Sequence, residues 1–202
     1  MGTMVGMLDV EVIAEPAAAV SALDPIRGRL LAELTEPASA ATLASRIGIT
    51  RQKVNYHLRA LEDHRLVTEA GERHWGGLRE RLMIATAASY VVSPGALGPV
   101  AADPGRSNDR LSASYLIALA ARAVREVGEL WAVAREKNKR VATLSIDTAV
   151  QFRSPADRAA FTRELSEAVT TLVARYHQES EGRSYRLVVA AYPKPKEDTK
   201  CP

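Results

Sequence analysis

Two short amphipathic helices separated by one glycine constrain the fold of this chain more than any other feature of its sequence. Ser39 is placed to cap the first helix, Gly48 suits the left-handed turn that ends it, and Thr50 is placed to cap the second. The apolar residues that recur at helical spacing in the pair are Leu43, Ile47, Val54, Leu58 and Leu61. Because these residues can close a small core between two crossing helices, the segment has the form of a helix-turn-helix.

The second helix, from Thr50 to His64, presents a polar outer face. Its residues there are Arg51, Gln52, Lys53, Asn55, Tyr56 and Arg59. Arginine, glutamine and asparagine make bidentate hydrogen bonds to base edges, and lysine and tyrosine reach bases or phosphates. Such a helix fits the major groove, so we predict that these six residues and Thr50 bind duplex DNA. His57 is counted with them, although the sequence is equally consistent with an inward position against the neighbouring hairpin.

A β-hairpin is predicted directly after this helix. Leu66–Ala70 is β-prone, a glycine-containing tip follows at His74–Gly77, and Leu78–Ala85 is the return strand. In this position the hairpin acts as a wing beside the DNA backbone or the adjacent minor groove. The residues that we expect to contact DNA from the wing are Arg73, His74 and Arg79.

The helices and the hairpin together resemble the winged helix-turn-helix regulators of the ArsR type. The matching runs are Leu23–Arg27, Thr42–Thr50, Val54–Leu61 and Leu66–Val67. The resemblance extends from Leu23 to about Ser93, which is about a third of the chain. It implies a dimeric regulator that binds an inverted-repeat operator.

The resemblance does not include the metal sites of that family. Its metal-sensing members carry a cysteine pair at the start of the helix before the recognition helix, or histidine and carboxylate ligands on the dimerisation helix. The corresponding stretches here contain no cysteine, and the long helix predicted after Ser107 contains no histidine. We therefore expect no metal site and no cofactor, and we expect any effector to be a small organic molecule.

The C-terminal half is predicted to run helix, strand, helix, strand. The four elements are Asn108–Lys137, Val141–Phe152, Ser154–His177 and Tyr185–Tyr192. Tyr115 and Trp131 on the first helix and Asp147 on the first strand are candidates for an effector pocket. For the two aromatic residues the alternative is the core or a dimer interface, and for Asp147 it is a solvated position. The sequence leaves the order of the strands open.

These elements predict an α+β fold that is mainly helical, with an N-terminal winged helix-turn-helix followed by a helix-strand-helix-strand domain. The predicted segments are an N-terminal arm at 1–14, a DNA-binding domain at 15–93, a linker at 94–107, a dimerisation and effector domain at 108–195, and a mobile tail at 196–202. Pro and Gly in the residues from 94 to 104 indicate the linker.

Charge and cysteine content place limits on the function. The net charge of the chain is +3. The stretch from Arg46 to Arg81 contains eight basic and five acidic residues, so this stretch alone also has a net charge of +3. The single cysteine, Cys201, excludes a disulfide framework. The longest uncharged run, Leu82–Ala102, is interrupted by prolines and glycines, so we expect no membrane segment. We expect a cytoplasmic protein that associates with the nucleoid when it is bound to DNA.

The function predicted from these features is a homodimeric repressor or activator. Its recognition helices would enter two half-sites about one helical turn apart, and the long helix after Ser107 would form most of the dimer seam. No nucleophile, base and orienting acid form a recognisable motif, so we expect no enzyme and no catalytic residue. The alternatives are a ligand-binding or catalytic C-terminal domain with an accessory winged helix, and a module that binds a partner protein.

Overall fold

The computed structural model describes residues 7–75, 78–178 and 182–195, and it divides into two units, residues 1–141 and 142–202. The strands of the first unit are β1 (Glu11–Ile13), β2 (Ala38–Ser39), β3 (Val67–Trp75), β4 (Leu78–Ala85) and β5 (Tyr90–Val92). Its helices are α1 (Pro16–Leu23), α2 (Pro25–Glu33), α3 (Ala40–Ile47), α4 (Arg51–Asp63) and α5 (Ala113–Glu136). The second unit contains α6 (Pro155–Tyr176). This mixture of helices and strands confirms the predicted α+β class.

Side-chain caps begin α2, α3 and α4, and those of α3 and α4 are the predicted residues Ser39 and Thr50. Asp24 Oδ1 accepts hydrogen bonds from the backbone N–H groups of Ile26 and Arg27, both at 3.0 Å. The hydroxyls of Ser39 and Thr50 each accept a bond from the backbone N–H three residues later, at 3.2 and 3.3 Å. The hydrogen bond from the Arg27 backbone is the main reason that the pKa of Asp24 lies below its ordinary value. The caps therefore satisfy N–H groups that the helices leave unpaired.

The core of the N-terminal unit lies where α2, α3 and α4 meet. Its fully buried side chains include Leu30, Leu34, Leu43, Val54 and Leu61. Gly48 joins α3 to α4 in the left-handed region, with a φ of 73°, which a residue with a Cβ rarely adopts. The guanidinium of Arg29 on α2 donates a hydrogen bond of 2.9 Å to the carbonyl of Ile47 and so ties α2 to this turn. The angle between α3 and α4 is fixed by this packing.

The hairpin packs against this helical core as part of a three-stranded antiparallel sheet in the order β2-β4-β3. Its register places Arg73 opposite Glu80 and His74 opposite Arg79. The register shifts between Glu69 and Gly71, so the hairpin is irregular at that point. The two glycines predicted at the tip, residues 76 and 77, lie outside the described residues.

A strand in the predicted N-terminal arm connects distant parts of the first unit. β1 pairs in parallel with β5, with Val12 opposite Val91. β1 also lies against α5, since a Cβ added at Gly128 would be 2.8 Å from Val12 Cγ1. At the end of α5, the Arg135 guanidinium forms an ion pair with Glu11, which raises the pKa of Arg135. α5 is therefore anchored to the winged part of the unit through β1.

The segment predicted as a linker takes a defined form. Two short 3₁₀ helices, Pro94–Val100 and Pro104–Arg106, cover most of it, and both lie against α5. Ala101 and Pro104 are buried. Among the described residues, no helix combines the length and apolar character needed to cross a membrane.

The C-terminal unit differs from its prediction. α6 forms as expected, capped by Ser154, whose hydroxyl accepts a hydrogen bond of 3.1 Å from the backbone N–H of Asp157. The two strands predicted at 141–152 and 185–192 do not form, since none of these residues belongs to a strand or a bridge within the described part of the chain. A strand exists only when a neighbour takes up its backbone hydrogen bonds, and the described part of the chain does not provide one here.

Candidate nucleic-acid interface

The helix predicted to recognise DNA is held firmly from beneath. Val54, Leu58 and Leu61 on its inner face are buried, with at most 5% of their surface exposed. Thr50 uses its hydroxyl to cap the helix, and Gly48 sets its direction relative to α3. The backbone of α4 can therefore present its outer face without rearrangement.

The outer face of α4 brings together the polar residues that the sequence predicts for DNA contact. Arg51, Gln52, Lys53, Asn55, Tyr56 and Arg59 are all exposed. Within the described part of the chain, no hydrogen bond or ion pair engages the side chains of Arg51, Gln52, Asn55 or Arg59. Five of the six, all except Lys53, line a shallow depression of about 480 Å³. These side chains are free to bind a ligand that lies along the helix.

The spacing of three of these residues matches the scale of a DNA groove. Arg51, Asn55 and Arg59 follow one another at intervals of four residues, so they lie along one side of α4. At a rise of about 1.5 Å per residue, the outer two are about 12 Å apart along the axis. Base pairs are stacked at about 3.4 Å, so the row spans between three and four steps of a duplex.

His57 occupies a different position from these six residues. Its side chain is half-buried, and its Nδ1 is buried without a hydrogen-bond partner among the residues that the structure describes. Its ring meets the ring of Tyr56 edge-on, with centroids 5.3 Å apart. The imidazole also helps to lower the pKa of the Asp24 carboxyl, after the larger effect of the Arg27 backbone. This placement favours the inward of the two positions that the sequence leaves open.

The wing places its basic residues next to carboxylates. The Arg73 guanidinium lies 2.8 Å from Glu80, and that of Arg79 forms an ion pair with Glu72. His74 is exposed, with Nε2 4.0 Å from the same Glu72 carboxylate. The wing residues predicted to contact DNA are thus gathered on one hairpin, but their charges are partly balanced there.

The pKa values of the wing carboxylates follow from these pairs. The hydrogen bond from Arg79 lowers the pKa of Glu72, and the hydrogen bond from Arg73 lowers that of Glu80. The same contact with Glu72 raises the pKa of Arg79. Both carboxylates are therefore ionised near neutral pH, where they compete with phosphate for the arginines.

Comparison with known proteins identifies the N-terminal domain. A family model described as a helix-turn-helix domain matches residues 22–70. The chain carries a helix-turn-helix domain. The match covers about a quarter of the chain, from the end of α1 to the first residues of β3, and this domain suggests a DNA-binding regulator. No curated protein matches the chain.

Arg81, on β4, belongs to no motif that the sequence shows. Its guanidinium lies 2.7 Å from Glu62 at the end of α4 and 2.7 Å from Glu69 on β3. The contact with Glu62 is the first cause of the raised pKa of Arg81. This arginine links the recognition helix to the wing, and only the fold brings its two partners together, because they are 19 and 12 residues away in sequence.

The candidate effector residues are not brought together. Tyr115 and Trp131 lie on α5, 16 residues apart, which places them about 24 Å apart along the helix axis. Trp131 is 44% exposed, and Tyr115 is half-buried. Asp147 is an exposed residue of the C-terminal unit. The two aromatic residues do not share a small-molecule pocket within one chain, and the effector assignment stays a prediction.

Proposed function

We propose that this protein is a transcriptional regulator of the ArsR type that binds duplex DNA as a homodimer. Each protomer places α4 in the major groove of one half of an inverted repeat. The observation that carries the proposal is the row of exposed Arg51, Asn55 and Arg59 side chains, which make no hydrogen bond or ion pair within the described chain, on a helix that is fixed from below. The protein acts by binding and not by catalysis.

The residue types of the row suggest how a half-site is read. Arg51 and Arg59 are suited to guanine, which offers two acceptors to a guanidinium. Gln52 and Asn55 between them are suited to adenine, which offers a donor and an acceptor to an amide. Lys53 and Tyr56 contribute contacts to phosphates and fix the orientation of the helix. The half-site then contains guanines flanking an adenine-containing centre.

The dimer follows from the symmetry of such operators. Two α4 helices must lie about one turn of DNA apart, so each protomer needs a surface that joins it to its copy. Apolar side chains are exposed along α5, namely Ile117, Val127, Leu130, Trp131 and Val133. They support α5 as part of the seam. An organic effector that binds near α5 would change the spacing of the recognition helices, because β1 anchors α5 to the winged part.

The proposal is tested by selection from a pool of random duplex DNA. The wild type is compared with the Gln52→Ala/Asn55→Ala double variant, and the bound fraction is sequenced. We expect the wild type to enrich a palindrome that the double variant does not enrich. A matched control is the Gln178→Ala variant, which removes an exposed amide outside α4 and retains the palindrome.

Two outcomes of DNA-binding experiments would contradict the proposal. If a folded, dimeric wild type enriches no motif at low salt, sequence-specific DNA binding by the free protein is wrong. Binding that does not weaken as salt is raised would also contradict the proposal, because phosphate contacts release counterions.

A further inference from the structure

The C-terminal unit has apolar side chains but no core of its own. None of the described residues from 142 to 195 is buried. Leu144 and Ile146 are 84% and 83% exposed, and Tyr185, Leu187 and Tyr192 are each more than 60% exposed. A folded segment of this length is normally stabilised by apolar residues removed from water. The unit therefore needs a second surface to cover it.

The residues from 144 to 152 have the pattern of a strand without a partner. Leu144, Ile146, Val150 and Phe152 alternate with polar or small residues, so they lie on one face of an extended chain. Thr148, a β-branched residue, occupies the middle position of that face. No residue of this segment belongs to a strand or bridge within the described chain.

The segment is complementary to itself in the antiparallel direction. With Thr148 at the centre, Leu144 lies opposite Phe152 and Ile146 lies opposite Val150, so all four apolar side chains meet on one face. The one charge of the segment, Asp147, then lies opposite Ala149 and not opposite its own copy. Like charges directly across a strand pair destabilise it, and this register avoids them.

We propose that residues 144–152 pair antiparallel with the same residues of a second copy, about a two-fold axis at Thr148. Such an interface is isologous, because each residue contacts the same patch on the partner copy. The proposal rests on the homodimer of the proposed function, but it does not depend on DNA binding. It assigns part of the dimer seam to the C-terminal unit, in addition to α5.

The paired segment supplies part of the apolar surface that such an interface needs. Leu144, Ile146, Val150 and Phe152 are its exposed large apolar side chains. Burying a side chain of this kind removes about 80 Å² of apolar surface, so the four supply about 320 Å² per chain. Each partner of a stable complex buries about 800 Å², and the exposed apolar side chains of α5 supply a further part of the seam.

The charge of the unit also permits a second copy as the occupant. Residues 142–202 contain nine basic and eight acidic residues, so two copies do not repel each other strongly. The segments 144–152 and 185–192 carry opposite charges, Asp147 on one and Arg186 on the other. A strongly charged partner of another kind would find no single-sign surface here.

The pairing is tested with a cysteine at the proposed axis. Cys201 is the only cysteine of the sequence, so Cys201→Ser gives a background without thiols. In that background Thr148→Cys places two thiols directly opposite each other, where the Cα atoms of a strand pair are about 4.5 to 5.5 Å apart and a disulfide fits. We expect mild oxidation to crosslink this variant into a dimer on a non-reducing gel.

Asp147→Cys in the same background is the matched control. In the proposed register its two copies are diagonal neighbours, about 7 to 8 Å apart, which is too far for a disulfide. We expect Thr148→Cys to crosslink at least about tenfold more than this control. Light scattering on the unoxidised variants shows whether each is a dimer, and circular dichroism shows whether each is folded.

The outcomes separate this inference from the proposed function. A dimer that does not crosslink at residue 148, or one that crosslinks equally at residue 147, overturns the pairing and leaves DNA binding intact. A monomer in solution overturns both the pairing and the dimer. A selective crosslink in a protein that enriches no DNA motif supports the pairing while the proposed function fails.

Discussion

The recognition helix and the wing carry similar side chains but present them differently. On α4 the outer arginines and amides make no hydrogen bond or ion pair within the described chain, although Arg51 acts electrostatically on Glu80, and the helix beneath them is capped and packed. On the hairpin, Arg73, Arg79 and Arg81 each lie against a carboxylate. Both regions belong to the basic stretch of the sequence, yet α4 alone presents unpaired arginines to a ligand.

This difference shows that counting charges along a sequence overstates the charge available to DNA. Exposed ion pairs contribute little to stability, but they determine which cationic side chains can bind phosphate without first breaking another contact. An arginine of the wing must first break its ion pair with a glutamate, whereas Arg51 and Arg59 have no such pair to break within the described chain.

The largest effect is expected from the buried side of α4. Leu61 is fully buried, so Leu61→Ala should lower the free energy of unfolding by about 2 to 5 kcal/mol. The measurement is urea denaturation followed by circular dichroism. Leu23→Ala, at a side chain that is 70% exposed, is the control and should change stability by less than about 1 kcal/mol. Equal losses in the two variants would show that α4 is not held from beneath as described.

The next effect is on DNA affinity through the outer face of α4. Arg59→Ala should weaken binding to the selected palindrome by about 5- to 150-fold, the range expected for one bidentate base contact. Arg59→Lys keeps the charge but loses the planar fork, so it should retain binding to random DNA while losing preference for the palindrome. Fluorescence anisotropy with both DNAs measures this. If the lysine variant keeps its preference for the palindrome over random DNA, Arg59 contacts only phosphate and not a base.

A smaller effect is expected at the start of the recognition helix. Thr50→Ala removes the hydroxyl that accepts the hydrogen bond from Lys53 N, and should lower stability by about 1 kcal/mol. Thr50→Ser keeps that acceptor and should restore most of the loss. Thermal denaturation measures both variants. If serine does not restore stability, Thr50 acts through its methyl group and not as a cap.

The smallest effect is expected at the wing. Arg79→Ala should change the affinity for the palindrome by less than about threefold, because the lost cation was already paired with Glu72. Glu72→Gln frees the same arginine, so it should strengthen binding to random DNA and make the salt dependence steeper by about one ion. A large loss of DNA affinity in Arg79→Ala would show that the wing contributes to binding as much as α4 does, which would contradict the difference between the two regions.

The same pair predicts a pH dependence of stability. The pKa of Glu72 is lowered in the folded state by its hydrogen bond with Arg79, so the pair stabilises the fold above the ordinary glutamate pKa. That contribution is lost as the pH falls through the lowered pKa. Glu72→Gln should therefore be less stable than the wild type at neutral pH, and the difference should disappear in strong acid. Urea midpoints across this pH range measure it.

Local signals predicted most of the N-terminal domain. Ser39 and Thr50 carry the side-chain acceptor that a helix start needs, and Gly48 readily adopts the left-handed conformation that the turn needs. These features act over three or four residues, so the sequence shows them directly. The outer face of α4 could be predicted for the same reason. α1 was missed because its start has no side-chain cap hydrogen bond and its small residues show no clear apolar stripe.

Features that depend on distant residues could not be predicted in the same way. The pairing of β1 with β5 joins residues about 80 positions apart, and Arg81 meets carboxylates from two elements. The glutamates of the wing were visible as residues, but only the register of the hairpin shows that they neutralise Arg73 and Arg79. The C-terminal strands were predicted from alternation, which indicates a buried face but not what covers it.

The position of β1 has a consequence for synthesis on the ribosome. β5 and Gly128, which β1 contacts, leave the exit tunnel long after β1 itself has emerged. β1 therefore cannot reach its final position until most of the chain has been synthesised. The stretch detected by family comparison, 22–70, contains neither β1 nor β4 nor β5. The matched stretch is therefore shorter than the part that completes folding, and a fragment cut at its borders would lack the strands that close the domain.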